Sequence, residues 1–543
     1  MFHANDDQKP VIIVGAGIAG LYAAINLAPC PVVVLSSIDG GGSSFYAQGG
    51  IAAACGVGDS SALHALDTIR VGGRLTDKQV VYSVTAEANK CIADLRRLGV
   101  PFDCDNAGNL HLSLEGGHCR ERIAHVSGDG TGVAIMDVLA KIVADDPRIQ
   151  LMPQVEVVDL LKEENAVIGV VAKISKEEEE KELVIFTGRA VIMAGGGVCG
   201  LYRATTAPLY ICGKTLGLVA RAGAEIVDTE FVQFHPTALH VTHDPLPLIT
   251  EALRGAGAVL VDKAGTRIMK GVHPDMELAP RDIISRAIYQ RMMQDQDVFL
   301  DIRSVTGSVS ERFPALTSVC KEFGIESMQS LPVVPAAHYH MGGVRVDNDG
   351  RSSLKNLWVC GEMASTGMHG SNRLASNSLL EAIVYATRVA KNILKGGYRW
   401  RYTKKTGIYD NVCVGSHTLE FDHMHTRLDS FRFNKHGHGE TMTDSVNELR
   451  AIMSHYVGME RNDNGLRTAI RYISCLEKKV GSEDLSFINM TTAAMVIAVA
   501  ALLRRESCGC HYRTDYPCDD DRYARRAVIT MRDVQAVRSV CEK

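Results

Sequence analysis

A strand, a glycine turn, a helix and a second strand follow one another near the start of the chain. Residues 11–14 are VIIV, residues 15–20 are GAGIAG, and a second apolar run, VVVL, occupies residues 32–35. In such a unit the first glycine makes a tight turn, the second lets a pyrophosphate approach the backbone, and the third lets the helix pack on the strand. The pyrophosphate would lie at the helix N-terminus, where free N–H groups and the helix dipole favour an anion. This order constrains the fold most strongly, and it predicts a dinucleotide-binding α/β domain rather than an isolated glycine turn.

The end of the second strand departs from the usual dinucleotide pattern. An Asp or Glu is expected there to hold the adenosine ribose, but the strand runs into Ser36 and Ser37. This departure argues against an ordinary NAD site and leaves FAD open.

Two later segments also predict strands that end in glycine-containing loops. Residues 166–197 predict a strand, a charged turn and two more strands, with the acidic run 177–180 at a solvated hairpin tip. Residues 357–362, LWVCGE, predict another strand end, and residues 376–390 predict an amphipathic helix that Ser-Asn-Ser would cap. We expect these strand ends to converge on one ligand, in a large α/β flavin domain interrupted by an insertion.

The stretch GGSSFYAQGG at residues 41–50 predicts a loop. Its glycines exclude a helix and make a poor strand, and they let the backbone approach a neighbour closely. We therefore expect this segment to lie against a ligand, with Phe45 and Tyr46 packing beside it as a wall or anchor.

The bulk composition excludes several classes of protein. A chain of 543 residues predicts two to four domains. The formal net charge is −5 and the sequence has no long basic block, which argues against a nucleic-acid partner. The N-terminus MFHANDDQKP has no signal-peptide pattern, and the longest wholly apolar run, Ala493–Leu503, is too short to span a bilayer. We therefore expect no membrane association and a cytoplasmic location, in which the 15 cysteines stay reduced.

Two groups of residues could suggest a metal site, but the sequence gives neither a full set of ligands. Cys508 and Cys510 lie beside His511, and no second ligand pair partners them. A group of histidines in a polar stretch lacks a Cys or carboxylate pattern; these are His423, His425, His436 and His438. We therefore expect no metal.

A series of longer motifs runs through the chain as far as residue 517. After the first glycine motif come SSFYAQGG (43–50), LEGGHCRERIAH (114–125), EFVQFHPTAL (230–239), ITEALRGAG (249–257), LAPRDI (278–283), VPAAHYHMGGV (334–344), GEMASTGMHGSNRLASNSLLEA (361–382) and ESCGCHYRTDYP (506–517). In these motifs and their order the chain resembles the succinate dehydrogenase/fumarate reductase flavoprotein family. Within that family, the motifs are most similar to those of the members that oxidise L-aspartate.

The resemblance implies an α/β architecture of three parts. A Rossmann-like FAD-binding domain would comprise residues 1–234 and 339–400. An inserted α+β capping domain, residues 235–338, would close over the flavin. A polar linker at 401–439 would lead to a C-terminal helical domain at 440–543.

The resemblance also implies which residues bind FAD. Four parts of the chain would contact the cofactor: the glycine motif, the stretch around residues 43–50, a glutamate and the start of a late helix. The positive end of that helix would stabilise the negative charge that the flavin gains on reduction. The predicted cofactor-binding residues are Gly15, Gly17, Ile18, Ala19, Gly20, Ser37, Ser43, Ser44, Phe45, Tyr46, Ala47, Gln48, Gly49, Gly50, Glu362, Ser378 and Leu379.

Polar residues in the family motifs suit a short dicarboxylate substrate. Arg281 and Arg373 present planar forks that bind carboxylates bidentately. The other candidates are His235, His338, Thr250 and Glu251. The histidines would add donors that can be cationic, and the last two residues open a predicted short helix whose N–H groups favour an anion. By resemblance, Arg281 is the proton donor or acceptor, although any one of these residues alone could be an ordinary hydrogen-bonding group.

Two positions bear on the choice of substrate and on the link to the cofactor. Succinate and L-aspartate differ by one ammonium, and Glu115 occupies the position where the aspartate-oxidising members carry an acid. The alternative is that Glu115 is an exposed loop glutamate. Ser43 stands where respiratory members carry a histidine that bonds covalently to the flavin, and no histidine occurs between residues 4 and 63. The sequence therefore implies noncovalent FAD.

The implied reaction is FAD-dependent oxidation of L-aspartate to iminoaspartate by hydride transfer to flavin N5. Reoxidation would use O2 or fumarate, and the reaction would be the first step of de novo NAD biosynthesis. Because iminoaspartate is labile, quinolinate synthase is the natural downstream partner. The alternatives are a soluble fumarate reductase or succinate-oxidising flavoenzyme, and a degenerate FAD-binding protein without turnover.

Several residues depart from the family pattern near the expected cofactor site. Lys214 replaces an aspartate attributed to FAD contact, Thr215 replaces a glycine, and Gly195 replaces a threonine. Ser37 replaces a lysine and Cys508 replaces an arginine. If Lys214 had no partner, FAD binding would lose on the order of 1–3 kcal/mol, whereas a cofactor phosphate could instead pair with it.

Overall fold

The computed structural model of the chain describes residues 9–39, 42–176, 180–325, 329–396, 442–481 and 484–543. The expected linker at 401–439, with its four histidines, lies outside the described residues, as does most of the acidic run at 177–180.

The described residues form helices and strands in an alternating order. The strands are β1 (Val11–Val14), β2 (Val32–Leu35), β3 (Ile51–Ala52), β4 (Leu112–Ser113), β5 (Ile123–Ala124), β6 (Ile149–Met152), β7 (Val155–Glu163), β8 (Ala166–Lys176), β9 (Glu180–Thr187), β10 (Ala190–Met193), β11 (Ile226–Val227), β12 (Val232–Leu239), β13 (Val259–Asp262), β14 (Val298–Asp301), β15 (Ser330–His340), β16 (Gly343–Arg345), β17 (Leu357–Val359), β18 (Ala364–Ser365) and β19 (Val528–Ile529). The α-helices are α1 (Ile18–Asn26), α2 (Gly42–Phe45), α3 (Ser61–Gly72), α4 (Lys78–Leu98), α5 (Thr131–Asp145), α6 (Lys214–Arg221), α7 (Ala252–Gly255), α8 (Arg281–Met292), α9 (Val309–Arg312), α10 (Pro314–Glu322), α11 (Asn377–Lys395), α12 (Met442–Tyr456), α13 (Asp463–Val480), α14 (Leu485–Leu503) and α15 (Met531–Cys541).

A parallel five-stranded sheet with the order β17-β10-β1-β2-β6 forms the centre of the fold. The residues of β1, β2 and β10 are all buried, which explains why these strands appear in the sequence as continuous apolar runs. Helices α1, α4, α5 and α11 share one apolar core with this sheet. The Rossmann-like α/β fold predicted from the sequence is confirmed.

The strand ends predicted to converge do so. Strand β10 pairs in parallel with both β1 and β17, so the carboxyl ends of all three strands lie at one edge of the sheet. The backbone amide of Ala194 donates to the Val14 carbonyl, and that of Cys360 donates to the Met193 carbonyl. Parallel α/β sheets bind their ligands at this edge.

A second sheet, antiparallel and ordered β12-β15-β14-β13, has a hydrophobic core of its own between residues 239 and 333. Strand β12 is bulged, with a register shift between His235 and Ala238. Strand β15 runs alongside β12, and the pairing places Ala337 opposite Phe234. The two strands therefore carry His235 and His338 toward the same region.

Helix α14 lies at the centre of the C-terminal helices and packs against α6 and α13. Its mean hydropathy is 1.9 over an 18-residue window, so in length and composition this helix of the described residues could cross a membrane. The apolar run Ala493–Leu503, which is itself too short to span a bilayer, forms only the C-terminal part of this longer helix. Of that window, 89% is buried inside the protein, as in the core helix of a globular domain.

The stretch at residues 41–50 contains one helical turn, α2, contrary to the expectation that its glycines exclude a helix. The turn is short: the amide of Tyr46 donates to the Ser43 carbonyl and that of Ala47 to the Ser44 carbonyl. Gly42 has φ +56°, a left-handed conformation that suits glycine and leads into the turn.

Candidate functional site

A cavity of about 370 Å³ lies where the carboxyl ends of β1 and β10 meet the loop after α2, helix α6 and the strands β12 and β15. All seven residues predicted to act on the substrate line this one cavity: Glu115, His235, Thr250, Glu251, Arg281, His338 and Arg373. They come from distant parts of the chain, so their convergence depends on the fold.

The predicted cofactor-binding residues line the same cavity, except Gly20 and Phe45. Gly20 packs instead against the preceding turn, where a Cβ would lie 1.9 Å from the Gly15 carbonyl oxygen. Phe45 is 40% exposed and contacts Tyr46 edge-on, with ring centroids 6.3 Å apart. The expected aromatic wall beside the ligand is therefore limited to Tyr46, which lines the cavity.

Arg281 is fixed by two hydrogen bonds to buried side chains. Its Nε donates to Glu251 Oε2 over 2.6 Å, and its Nη1 donates to Gln233 Oε1 over 3.0 Å. Glu251 also lies 3.2 Å from Arg254 Nη2. Burial alone would raise the pKa of Glu251, but the two arginines outweigh it and lower that pKa to about 2. The carboxylate therefore stays ionised and holds two guanidinium groups beside the cavity.

Arg373 offers a guanidinium that is only partly used by the protein. It stacks 4.4 Å from the centroid of the Tyr339 ring, and its Nη1 lies 3.4 Å from Ser378 Oγ. Its buried Nε has no hydrogen-bond partner among the described residues. Burial and the nearby charge of Arg281 lower the pKa of Arg373 to about 10, so it remains a cation at neutral pH. Such a group is suited to bind an anion.

His235 and His338 lie side by side, with ring centroids 5.0 Å apart. His338 Nδ1 shares a hydrogen bond of 2.8 Å with Thr206 Oγ1. Burial, followed by the charge of Arg281, holds the pKa of both imidazoles well below the usual range. The expectation that these histidines can be cationic is therefore wrong for this site, because two arginines already supply the positive charge. Neutral imidazoles can still donate hydrogen bonds from one nitrogen.

Glu115 is 2% exposed, so it is not the exposed loop glutamate considered as the alternative. Its Oε2 accepts a 2.6 Å hydrogen bond from Ser376 Oγ. Gly49 makes room for it, since a Cβ there would lie 3.1 Å from Glu115 Oε1. Burial and the negative charge of Glu251 raise the pKa of Glu115. The glycine-rich loop thus borders a carboxylate in the substrate part of the cavity.

The start of helix α11 differs from the expected cap. Ser376 is the N-cap residue, but its φ is +59° and its side chain makes no capping hydrogen bond to the helix. The hydroxyl instead donates to Glu115 and accepts from the Gly50 amide over 3.3 Å. Ser376 therefore joins the loop, the buried carboxylate and the helix in one contact, which local sequence rules could not show.

Four of the five departures from the family pattern, all except Ser37, lie against other residues of the structure. Lys214 Nζ lies 2.8 Å from Glu156 Oε1, and both side chains line the cavity. A Cβ on Gly195 would lie 2.3 Å from Thr215 Oγ1, so these two departures compensate for each other in volume. Cys508 Sγ is hydrogen-bonded to Glu506, outside the cavity lining.

The polar residues that line the cavity suit FAD as a ligand. Ser43 Oγ and Gln48 Oε1 are buried and have no hydrogen-bond partner among the described residues, although both line the cavity. Such orphaned groups are expected where a polar ligand binds. Helix α1 begins beside them, and the amide of Ile18 donates to Ser44 Oγ at its first turn.

Sequence reasoning missed four residues of this site: Gln233, Arg254, Tyr339 and Glu156. The first three belong to motifs that the sequence already displays, so a role in the site could have been suspected. In the structure Gln233 contacts Arg281, Arg254 contacts Glu251, and Tyr339 contacts Arg373. Glu156 lies outside every motif.

Comparisons with known proteins agree with this geometry. A family model described as "FAD binding domain" matches residues 10–379, and one described as "Fumarate reductase flavoprotein C-term" matches residues 446–540. The L-aspartate oxidase of Agrobacterium fabrum is 41% identical over 97% of this chain and 94% of its own length. That of Xylella fastidiosa is 39% identical over 98% and 96%.

Solved structures show the same fold. FrdA of E. coli quinol fumarate reductase, solved as a point mutant, superimposes with a TM-score of 0.83 and 27% identity, covering 96% of this chain and 94% of that chain. Sdh1 of Mycobacterium smegmatis gives a TM-score of 0.77 and 28% identity over 94% of this chain and 90% of that chain. The FAD-binding fold with a C-terminal helical part, expected from the sequence, is confirmed. With relatives at this level of identity over almost its whole length, the chain belongs to the L-aspartate oxidase family of FAD-binding flavoproteins.

Proposed function

We propose that the chain oxidises L-aspartate to iminoaspartate with FAD as cofactor. The observation that carries this proposal is the buried Glu115 carboxylate, which lies in the same cavity as Arg281 and Arg373. The two arginines can bind the two carboxylates of the substrate. The buried carboxylate of Glu115 needs a cation beside it. The ammonium of aspartate provides one, and succinate has none.

When bound, FAD would supply the acceptor for the hydride of the substrate Cα, with O2 or fumarate as the final electron acceptor. Gly15, Gly17, Ser43 and Gln48 would hold it, together with the N-terminus of α1. The protein's own groups bind the substrate, orient it and handle its protons.

The arginines set the orientation of the substrate. Because Glu251 and Gln233 fix Arg281, its guanidinium is held in place before a ligand arrives. Arg373 has an unused Nε for a second carboxylate, and the neutral His235 and His338 add donors without a further charge.

Proton transfer is assigned to two groups. The substrate ammonium must lose a proton when the imine forms, and Glu115, whose pKa burial raises, is suited to accept it. When fumarate takes up the electrons in place of O2, it is reduced to succinate and needs a proton as well as a hydride, and Arg281 would be the proton donor, as in the family it resembles.

The wider setting follows from the same proposal. Ser43 in place of histidine supports a noncovalent FAD, and the reaction would be the first step of de novo NAD biosynthesis in the cytoplasm, with quinolinate synthase consuming the labile product. Residues 1–234 and 339–400 would form the FAD-binding domain, 235–338 the capping domain, and 440–543 the helical domain. The separate apolar core between residues 239 and 333 supports the capping domain.

Anaerobic reduction of the bound flavin tests the proposal. Purified protein is mixed with FAD and then with L-aspartate, D-aspartate or succinate without oxygen, and the visible flavin band is followed. We expect bleaching with L-aspartate. Bleaching with succinate but not with aspartate would indicate the fumarate reductase alternative, and a protein that binds FAD without any bleaching would be the non-catalytic one.

A further inference from the structure

An ion pair lies in the cavity wall, between the start of β7 and the start of α6. Glu156 is the second residue of β7, and its neighbour Val155 donates a backbone hydrogen bond of 2.8 Å to the Ser36 carbonyl at the end of β2. Lys214 is the first residue of α6, and its Nζ reaches Glu156 Oε1 over 2.8 Å. The pair therefore lies beside Ser36 and Ser37, where dinucleotide folds usually place an acid.

The Glu156 carboxylate is charged and accessible. Its side chain is 22% exposed and that of Lys214 is 33% exposed, and both line the cavity. Burial raises the pKa of Glu156, but Lys214, with smaller contributions from Lys173 and Ser486, outweighs burial and leaves it below the usual value. An ionised carboxylate accepts up to about four hydrogen bonds, so it keeps acceptor capacity beyond Lys214.

The placement of Lys214 is unfavourable on local grounds. A cation at the first residue of a helix opposes the helix dipole, and partly buried ion pairs contribute little net stability. A lysine at position 214 is explained if its charge keeps Glu156 ionised and oriented toward the cavity.

We propose that Glu156 replaces the acid missing from the end of β2 and accepts hydrogen bonds from the ribose hydroxyls in the adenosine half of FAD, with Lys214 orienting it. This inference rests on the proposed FAD cofactor. It assigns a cofactor contact to a residue that no sequence motif contains, and it gives the lysine at position 214 a protein partner rather than a cofactor phosphate.

Equilibrium binding to apoprotein tests the inference without catalysis. FAD and its analogues lacking the 2′- or 3′-hydroxyl of the adenosine ribose are titrated, and flavin fluorescence is followed. Wild-type protein should bind FAD about 10- to 100-fold more tightly than at least one analogue. Glu156→Gln should bind FAD and that analogue with nearly equal affinity. Since each comparison is made within one variant, a general folding defect cancels.

Matched variants sharpen the result. Glu163→Gln, an exposed glutamate on the same strand, should keep the wild-type preference. Lys214→Met should reduce the preference and Lys214→Arg should restore it. If Glu156→Gln keeps the full preference, or if wild-type protein shows none, the inference fails while FAD binding stands. A wild-type protein that binds no FAD would overturn the proposed function and this inference together.

Discussion

Replacing Glu115 with glutamine should separate aspartate from succinate. An ammonium about 4 Å from the carboxylate gains roughly 4 kcal/mol at an effective dielectric constant of 20, which is about three orders of magnitude in affinity. Glutamine keeps an oxygen that can accept from Ser376 Oγ, so part of the contact survives and a loss of about 10²- to 10³-fold in kcat/KM for aspartate is expected. Succinate should bind as well or better, because the substitution removes a negative charge near a dianion.

The assay is a pair of measurements on each variant: steady-state oxidation of L-aspartate, and succinate binding read from the perturbed flavin spectrum. The control is Glu121→Gln in the same loop, since that glutamate is exposed. An equal loss for aspartate and succinate would mean that Glu115 supports the local structure only. Unchanged aspartate kinetics would refute its role in recognising the ammonium.

Three further outcomes follow from other contacts. The Asp129 carboxylate accepts the backbone amides of Ala315 and Leu316 at the start of α10, so Asp129→Ala should cost about 1 kcal/mol and speed hydrogen exchange at those amides; unchanged exchange would contradict this. Burial raises the pKa of Glu362 from 4.5 to about 7. Below pH 4.5 the side chain is protonated in both the folded and the unfolded protein, and between pH 4.5 and 7 the folded protein loses stability because the unfolded chain ionises first. Glu362→Gln should thus stabilise the apoprotein at pH 8 by up to about 3 kcal/mol but not at pH 4.5, and equal melting shifts at both values would argue against it. Acid precipitation should leave all flavin in solution if Ser43 forms no link to it, whereas a yellow pellet would indicate a covalent bond.

The sequence predicted the central sheet because burial on both faces leaves continuous apolar runs. Strands β1, β2, β10 and β17 all follow this pattern, and the glycines between β1 and α1 mark the turn. The edge at which a ligand binds follows from parallel strand order, so the convergence of distant motifs could also be predicted.

The electrostatic details could not be predicted, because they depend on distances between residues far apart in sequence. Glu156 and Lys214 are separated by 58 positions, and nothing local indicates that they meet. The neutral state of His235 depends on burial and on Arg281. Likewise, Gly195 and Thr215 look like independent departures until the structure shows that one side chain fills the space left by the other.

The charges around the substrate part of the cavity also predict how protons accompany binding. Three guanidinium groups, those of Arg254, Arg281 and Arg373, face the carboxylates of Glu251 and Glu115, while the nearby imidazoles are neutral. The set therefore carries one net positive charge when Glu115 is ionised. L-aspartate, with one net negative charge, neutralises it.

Succinate carries two negative charges, so its complex would keep one negative charge in excess. Burial and the charge of Glu251 already raise the pKa of Glu115. Protonation of Glu115 is therefore the least costly way to remove the excess charge. We therefore expect succinate to bind with uptake of up to one proton and to lose affinity as the pH rises. Aspartate should bind without uptake and lose affinity as the pH falls through the raised pKa of Glu115. Calorimetry in buffers of different ionisation enthalpy measures the proton count, and Glu115→Gln should abolish the difference between the two ligands. Equal uptake for both in the wild-type protein would show that Glu115 is not the group that responds to the ammonium.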